Sequence, residues 1–178
     1  SDLTDSIFNP AASCSNWVGS VSVYMNCTSS PHDGNNCFTS CHGFNGQLLH
    51  DNNVTHIITN IPASGYSPGT TYLITAKIAK PGHEIFGFSI SAQRLTDQAV
   101  QDSNYMGILR DTVEALRTFA SPDGRYLGQT LSGAYNTDSA SWTFAWTAPQ
   151  AGRGKVVFYS SFRSEEHTSE LQSPCNLV

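Results

Sequence analysis

The chain has 178 residues, enough for one good hydrophobic core and too few for a second full-sized domain. Charged residues make up 13% and hydrophobic ones 39%; the charged share is about half the roughly 25% of an average globular protein, a balance that suits short strands and turns. A formal net charge of -5, with nine Lys plus Arg that form no cluster along the chain, excludes the electrostatic attraction that nucleic acid or an anionic membrane demands.

No charged-then-apolar leader opens the chain, and no apolar run approaches the ~18 residues of a membrane span, so Ser1 reads as the start of a mature exported chain. Cys14, Cys27, Cys37, Cys41 and Cys175 suit an oxidising compartment. The triplets at Asn26 and Asn53 match N-glycosylation acceptors, a pattern short enough to recur by chance.

Apolar and polar residues alternate with the period of a half-buried strand in residues 17–24 (WVGSVSVY), 72–78 (YLITAKI), 85–90 (IFGFSI), 142–146 (WTFAW) and 155–159 (KVVFY). Shorter runs at 56–61 and 126–131 are further candidate strands. Ser64-Gly65, Pro68-Gly69, Pro81-Gly82 and Asp123-Gly124 separate the runs as turn formers. Residues 110–119 (RDTVEALRTF) alone have helical composition, with Val113, Leu116 and Phe119 on one face, and predict a short connecting helix. Many short strands with regular turns predict an all-β sandwich or barrel. Alternation puts Trp142, Phe144 and Trp146 on one face, which reads as core in preference to a carbohydrate-stacking platform.

Two segments carry a resemblance: NIPASGYSPGTTYLITAKIAKPGHEIFGFSISA (60–92) and SGAYNTDSASWTFAWTAPQAGRGKVVFYSSF (132–162). With GYxPGxTY, FGFxIxA and SWTFxWTAPxAGxGxVxFY as marks, they resemble the Reeler-like (reelin-type) domains of secreted bacterial proteins, particularly those of Bacteroidota. The resemblance covers a little over half of the chain. It implies an antiparallel, immunoglobulin-like β-sandwich, export, an extracellular or cell-surface location and no enzymatic activity. Residues 1–55 then form an N-terminal Cys-rich extension and 56–162 the sandwich. Residues 163–173, RSEEHTSELQS, look like the in-frame translation of a sequencing adapter, so 163–178 is expected to be a non-native tail, which sets His167 and Cys175 aside.

Many bacterial proteins of this kind carry Cys-x-x-Cys-His just upstream of the sandwich. Here NNCFTSCHGFNG places three residues between Cys37 and Cys41, followed at once by His42. Cys-x-x-Cys-His attaches c-type haem: both thiols add to the vinyl groups and the His becomes the proximal iron ligand. Cys37, Cys41 and His42 are therefore candidate haem c residues. His50 and His56 are the favoured metal ligands for the opposite side, with His32, His83, Met25 and Met106 also eligible by type. In the alternative reading the cysteines are structural, with three possible connectivities among four of them. If haem takes Cys37 and Cys41, Cys14 and Cys27 become the natural disulfide. A zinc site from Cys37, Cys41, His42 and His50 or His56 is a third option.

No nucleophile elbow, HExxH or phosphate-cradling loop occurs, and an enzyme is not expected. Asp102, Asp111, Glu114 and Asp123 lack the spacing of a calcium loop and read as a solvated face. Asp5-Ser6-Ile7, Asp111-Thr112-Val113 and Asp138-Ser139-Ala140 look like short O-glycosylation motifs. The leading functional expectation is an extracellular electron-transfer module with one covalent haem, self-associating into a filament in which the N-terminal forty residues reach a neighbour. The alternative is a non-enzymatic adhesion or extracellular-matrix module, stapled by disulfides, that contacts other surface proteins.

Overall fold

The computed structural model describes residues 15–18, 21–24, 28, 30, 55–95, 104–112, 116–150 and 153–165. The architecture follows from two strands whose alternation is strict. In β4 (Thr71–Ala79) every second residue, Tyr72, Ile74, Ala76 and Ile78, is buried. In β9 (Ser139–Thr147) the buried set is Ala140, Trp142, Phe144 and Trp146. The antiparallel register sets Ala76 beside Trp142 and Ile78 beside Ala140, small residues beside large ones, and Ile74 beside Phe144 and Tyr72 beside Trp146. β3 (Thr55–Thr59) and β6 (Ile108–Arg110) flank this pair and complete a sheet of order β3-β4-β9-β6.

The facing sheet has the order β10-β5-β8-β7, built from β5 (Ile85–Arg94), β7 (Thr118–Ala120), β8 (Tyr126–Gln129) and β10 (Val156–Glu165). Phe86, Phe88, Ile90 and Ala92 of β5 meet the β9 aromatics across the sandwich. Phe88 stacks on Trp142 at 4.5 Å and on Phe144 at 5.9 Å. Burying each large side chain contributes roughly 1.5–3 kcal/mol. The Trp142 and Trp146 indoles, fully buried, donate to the carbonyls of Gly133 (3.0 Å) and Met106 (2.7 Å), so neither N–H loses its partner. Trp146 leaves no space beside Gly107: a Cβ there would stand 2.2 Å from the Thr147 carbonyl oxygen, at a φ of +74°.

β5 is buried on both faces. On its outer side Ser89, Ser91 and Gln93 are covered. Gln93 Nε2 donates to Ser30 Oγ and to Ser91 Oγ, each at 3.1 Å, while Thr28 is fully buried nearby in sequence. β1 (Ser15–Val18) and β2 (Val21–Tyr24) pair antiparallel, and β2 lies against β8. Tyr105, Tyr126 and Phe119 form a small second cluster, with the two tyrosine hydroxyls hydrogen-bonded to each other.

Three sequence expectations are corrected. Residues 17–24 are divided between two strands, not one, because Val18 of β1 pairs with Val21 of β2. The helix expected over 110–119 is not formed by the described residues of that stretch. Arg110 ends β6, where Leu109 pairs with Trp146, and Thr118 and Phe119 belong to β7; Leu116, intended for the apolar face, is 82% exposed. Sheet pairing overrides a weak helical tendency, and the Asp111 carboxylate fixes the return by accepting from Thr118 Oγ1 (2.9 Å) and the Ala120 amide (3.4 Å). A short helix does exist at α1 (Leu131–Ala134), where Thr130 caps the first turn by accepting from the Gly133 amide at 3.1 Å. β10 also runs three residues past Phe162, pairing Arg163, Ser164 and Glu165 with Gly87, Phe86 and Ile85.

Candidate functional site

Tyr66 builds the most distinctive surface feature. Its ring packs edge-on to the buried Trp146 at 5.5 Å, which fixes where its hydroxyl points. That hydroxyl donates to the Gly154 carbonyl at 3.0 Å and accepts from the Arg153 amide at 3.3 Å, holding the approach to β10 at two successive residues. Gly154 has φ +90°, a conformation that costs glycine little. Across from it β5 ends at Arg94, paired with Val156, and the Leu95 amide donates to the Lys155 carbonyl at 3.2 Å.

Arg94, Leu95, Arg153, Gly154 and Lys155 line an open recess of about 430 Å³. Three of the chain's nine cationic residues, Arg94, Arg153 and Lys155, are therefore among those lining one recess of a protein whose net charge is -5. Unclustered along the chain, Arg94 and the 153–155 segment are brought to the same recess by the β5–β10 register. Guanidinium groups offer planar, paired donors to carboxylate, sulfate or phosphate oxygens, and the ammonium adds a mobile point charge. Leu95, 58% exposed, supplies an apolar wall. The arrangement suits capture of an anionic group and contains no nucleophile–base pair.

Cys14, Cys27, Cys37, Cys41, Cys175, His42 and His50 lie outside the described residues. His56 is exposed on the outer face of β3, opposite Lys77, where Ile57 takes the inward position against the core. His83 sits in the β4–β5 turn, its amide bonded to the Lys80 carbonyl and its carbonyl to the Asp138 amide. Met106 is fully buried, with its backbone bonded to Ala92 and to the Trp146 indole. Among the described residues no three His, Cys, Asp or Glu side chains gather as a metal site. Asp123 holds a turn, accepting from Ser121 Oγ at 2.6 Å and pairing with Arg125 at 3.3 Å, while Asp111 is occupied by β7.

The strand order and the shared core can be compared with solved structures. A crystal structure of the human F-spondin reeler domain matches with a TM-score of 0.53 and 19% identity, covering 70% of this chain and 84% of that one. The fold is a Reeler-like β-sandwich. A second structure of that human domain gives a TM-score of 0.48 at 21% identity over 64% of this chain and 76% of its own. The Reelin-N domain of F-spondin gives 0.47 at 23% identity over 63% and 73%. No protein-family model and no curated protein sequence matches the chain.

The recess had one local signal in the sequence, Arg153-Gly154-Lys155, two cations around a turn-forming glycine. Arg94 and the Tyr66 clamp had none, since both depend on strand register and on Trp146.

Proposed function

We propose that this domain is an extracellular, non-enzymatic adhesion or matrix module that binds an anionic group of its partner in the basic recess. The observation that supports it is the presence of Arg94, Arg153 and Lys155 in the lining of one open recess, next to the Gly154 carbonyl and Arg153 amide that Tyr66 holds. The Reeler-like fold adds the analogy of a non-catalytic extracellular scaffold, and no helix among the described residues is long and apolar enough to cross a membrane. A sulfated polysaccharide offers the recess closely spaced anions on a flexible backbone.

Dextran sulfate binding, measured by calorimetry against neutral dextran, tests the reading. The full chain is expected to bind the sulfated polymer alone and to weaken as salt shortens the Debye length from ~10 Å at 0.1 M to ~3 Å at 1 M. The triple variant Arg94→Glu, Arg153→Glu, Lys155→Glu should lose at least tenfold in affinity with an unchanged melt. Equal binding by that variant, or by neutral dextran, would overturn the assignment.

A second reading rests on the spacing of Cys37, Cys41 and His42: a covalently attached haem and an exported electron-transfer role, with copies brought together in a filament. A Soret band that survives acid-acetone extraction of native protein supports it, and a featureless visible spectrum ends it. Micrographs of native material showing monomers alone would remove the filament.

A further inference from the structure

We propose that one water molecule is bound on the outer side of β5, bridging Gln129 Nε2 and Ser89 Oγ. The proposal uses none of the residues of the basic recess and does not depend on the anion-binding reading. β8 pairs with β5 from Tyr126 to Gly128, opposite Ser91 to Ser89. The next residue, Gln129, is the last of β8, because Thr130 already caps α1. There a side chain replaces the ladder: Gln129 Oε1 accepts from the Phe88 amide at 2.7 Å. A backbone amide only donates, so the carboxamide is fixed with its oxygen on Phe88 and its Nε2 turned away. Gln129 is fully buried, yet Nε2 has no hydrogen-bond partner among the described residues.

Gly87 shows where Nε2 lies. An ideal Cβ built on that glycine would stand 3.1 Å from it. Gly87 and Ser89 are two residues apart on one strand, so their Cβ directions share a face and are ~6.7 Å apart. Ser89 is fully buried as well, and its hydroxyl also has no partner among the described residues. Opposite Ser89 stands Gly128, likewise buried, so β8 raises no side chain against the hydroxyl. Two orphaned polar groups are therefore on one face, with a glycine beside each.

The chemistry of the two groups selects the ligand. Nε2 donates, which disfavours a cation, and the hydroxyl both donates and accepts. A water oxygen at ~2.9 Å from each accepts from Nε2 and exchanges a hydrogen bond with Ser89 while the two groups stay up to ~5.8 Å apart, within one i to i+2 step of the strand. Buried waters make about three such bonds, and Ser161, paired with Ser89 across β10, adds a third hydroxyl to the row. Left dry, each group bears its full desolvation penalty, and a single water relieves both.

Ser89→Ala decides the point by the sign of its effect. With the water bound, the variant removes one of its protein partners, and the folding equilibrium constant of the full chain in urea should fall about five- to tenfold. Without it, the variant only deletes an unpaired buried hydroxyl, so a constant that is unchanged or raised would overturn the proposal. A high-resolution crystal structure of the full chain is the direct readout. One oxygen-sized density peak within ~3.2 Å of both Gln129 Nε2 and Ser89 Oγ is expected. A protein atom in that place, the absence of a peak, or a peak that needs more electrons than one oxygen, as chloride does, would overturn it.

Discussion

The two outer faces of the sandwich are unlike. That of the β4 sheet is open, with Leu73 and Ile58 half-exposed and two cross-strand hydroxyl pairs, Thr71–Thr147 at 2.8 Å and Thr75–Thr143 at 3.0 Å. That of the β5 sheet carries a row of buried polar groups, Ser89, Ser91 and Gln93, with Gln93 bridged to Tyr105 and bonded to Ser30. One sheet thus has the usual single buried face, while in the other β5 is buried on both faces. The extension is part of the folded body at Thr28 and Ser30, not a separate appendage there. A polar seam of this kind adds little net stability per bond but is costly to leave half-made.

Substitutions can break this contrast, the largest effect lying between the sheets. Trp142→Ala removes the indole shared by both layers and its bond to Gly133, and should cost about 3–5 kcal/mol in urea unfolding. Gln93→Leu tests the closed face: it removes the amide that donates to Ser30 and Ser91 and should cost about 1–3 kcal/mol, with faster amide exchange in β5 than in β4. If Gln93→Leu is neutral, the seam is not a structural layer. Tyr66→Phe should cost about 1 kcal/mol and lower dextran sulfate affinity, because the Arg153–Gly154 segment loses both side-chain bonds to Tyr66. Leu73→Thr on the open face should change stability by no more than about 0.5 kcal/mol, and a larger loss would mean that this face is covered as well.

The same contrast explains what the sequence revealed. TYLITAKIA and SASWTFAWT alternate cleanly because water lies on one side of each strand, and the core aromatics Trp142, Phe144 and Trp146 follow directly. The predicted strand at 85–90 stops at the last apolar residue of IFGFSI, yet β5 continues to Arg94. Its buried outer face is itself made of hydroxyls and an amide, Ser89, Ser91 and Gln93, which a hydrophobic pattern reads as solvent-facing. Residues 110–119 misled for a related reason: Arg110 is placed by Ala145 of β9, far away in sequence, and Thr118 by Gln129 of β8, its neighbour in a hairpin. The basic recess was illegible except at Arg153-Gly154-Lys155, since Arg94 lines the same recess only once β10 lies against β5. The Cys37, Cys41 and His42 spacing remains a statement about sequence alone.

That pairing of β10 with β5 also sets an order of events. It joins Val156 to Arg94 and Glu165 to Ile85, contacts made across most of the length of the sandwich segment. β5 therefore presents a ten-residue row of open amides and carbonyls until β10 has left the ribosome or the export pore. Such late, distant closures fold slowly and favour pairing with foreign strands in the interval, so the emerging chain is most in need of a chaperone just before its last strand arrives.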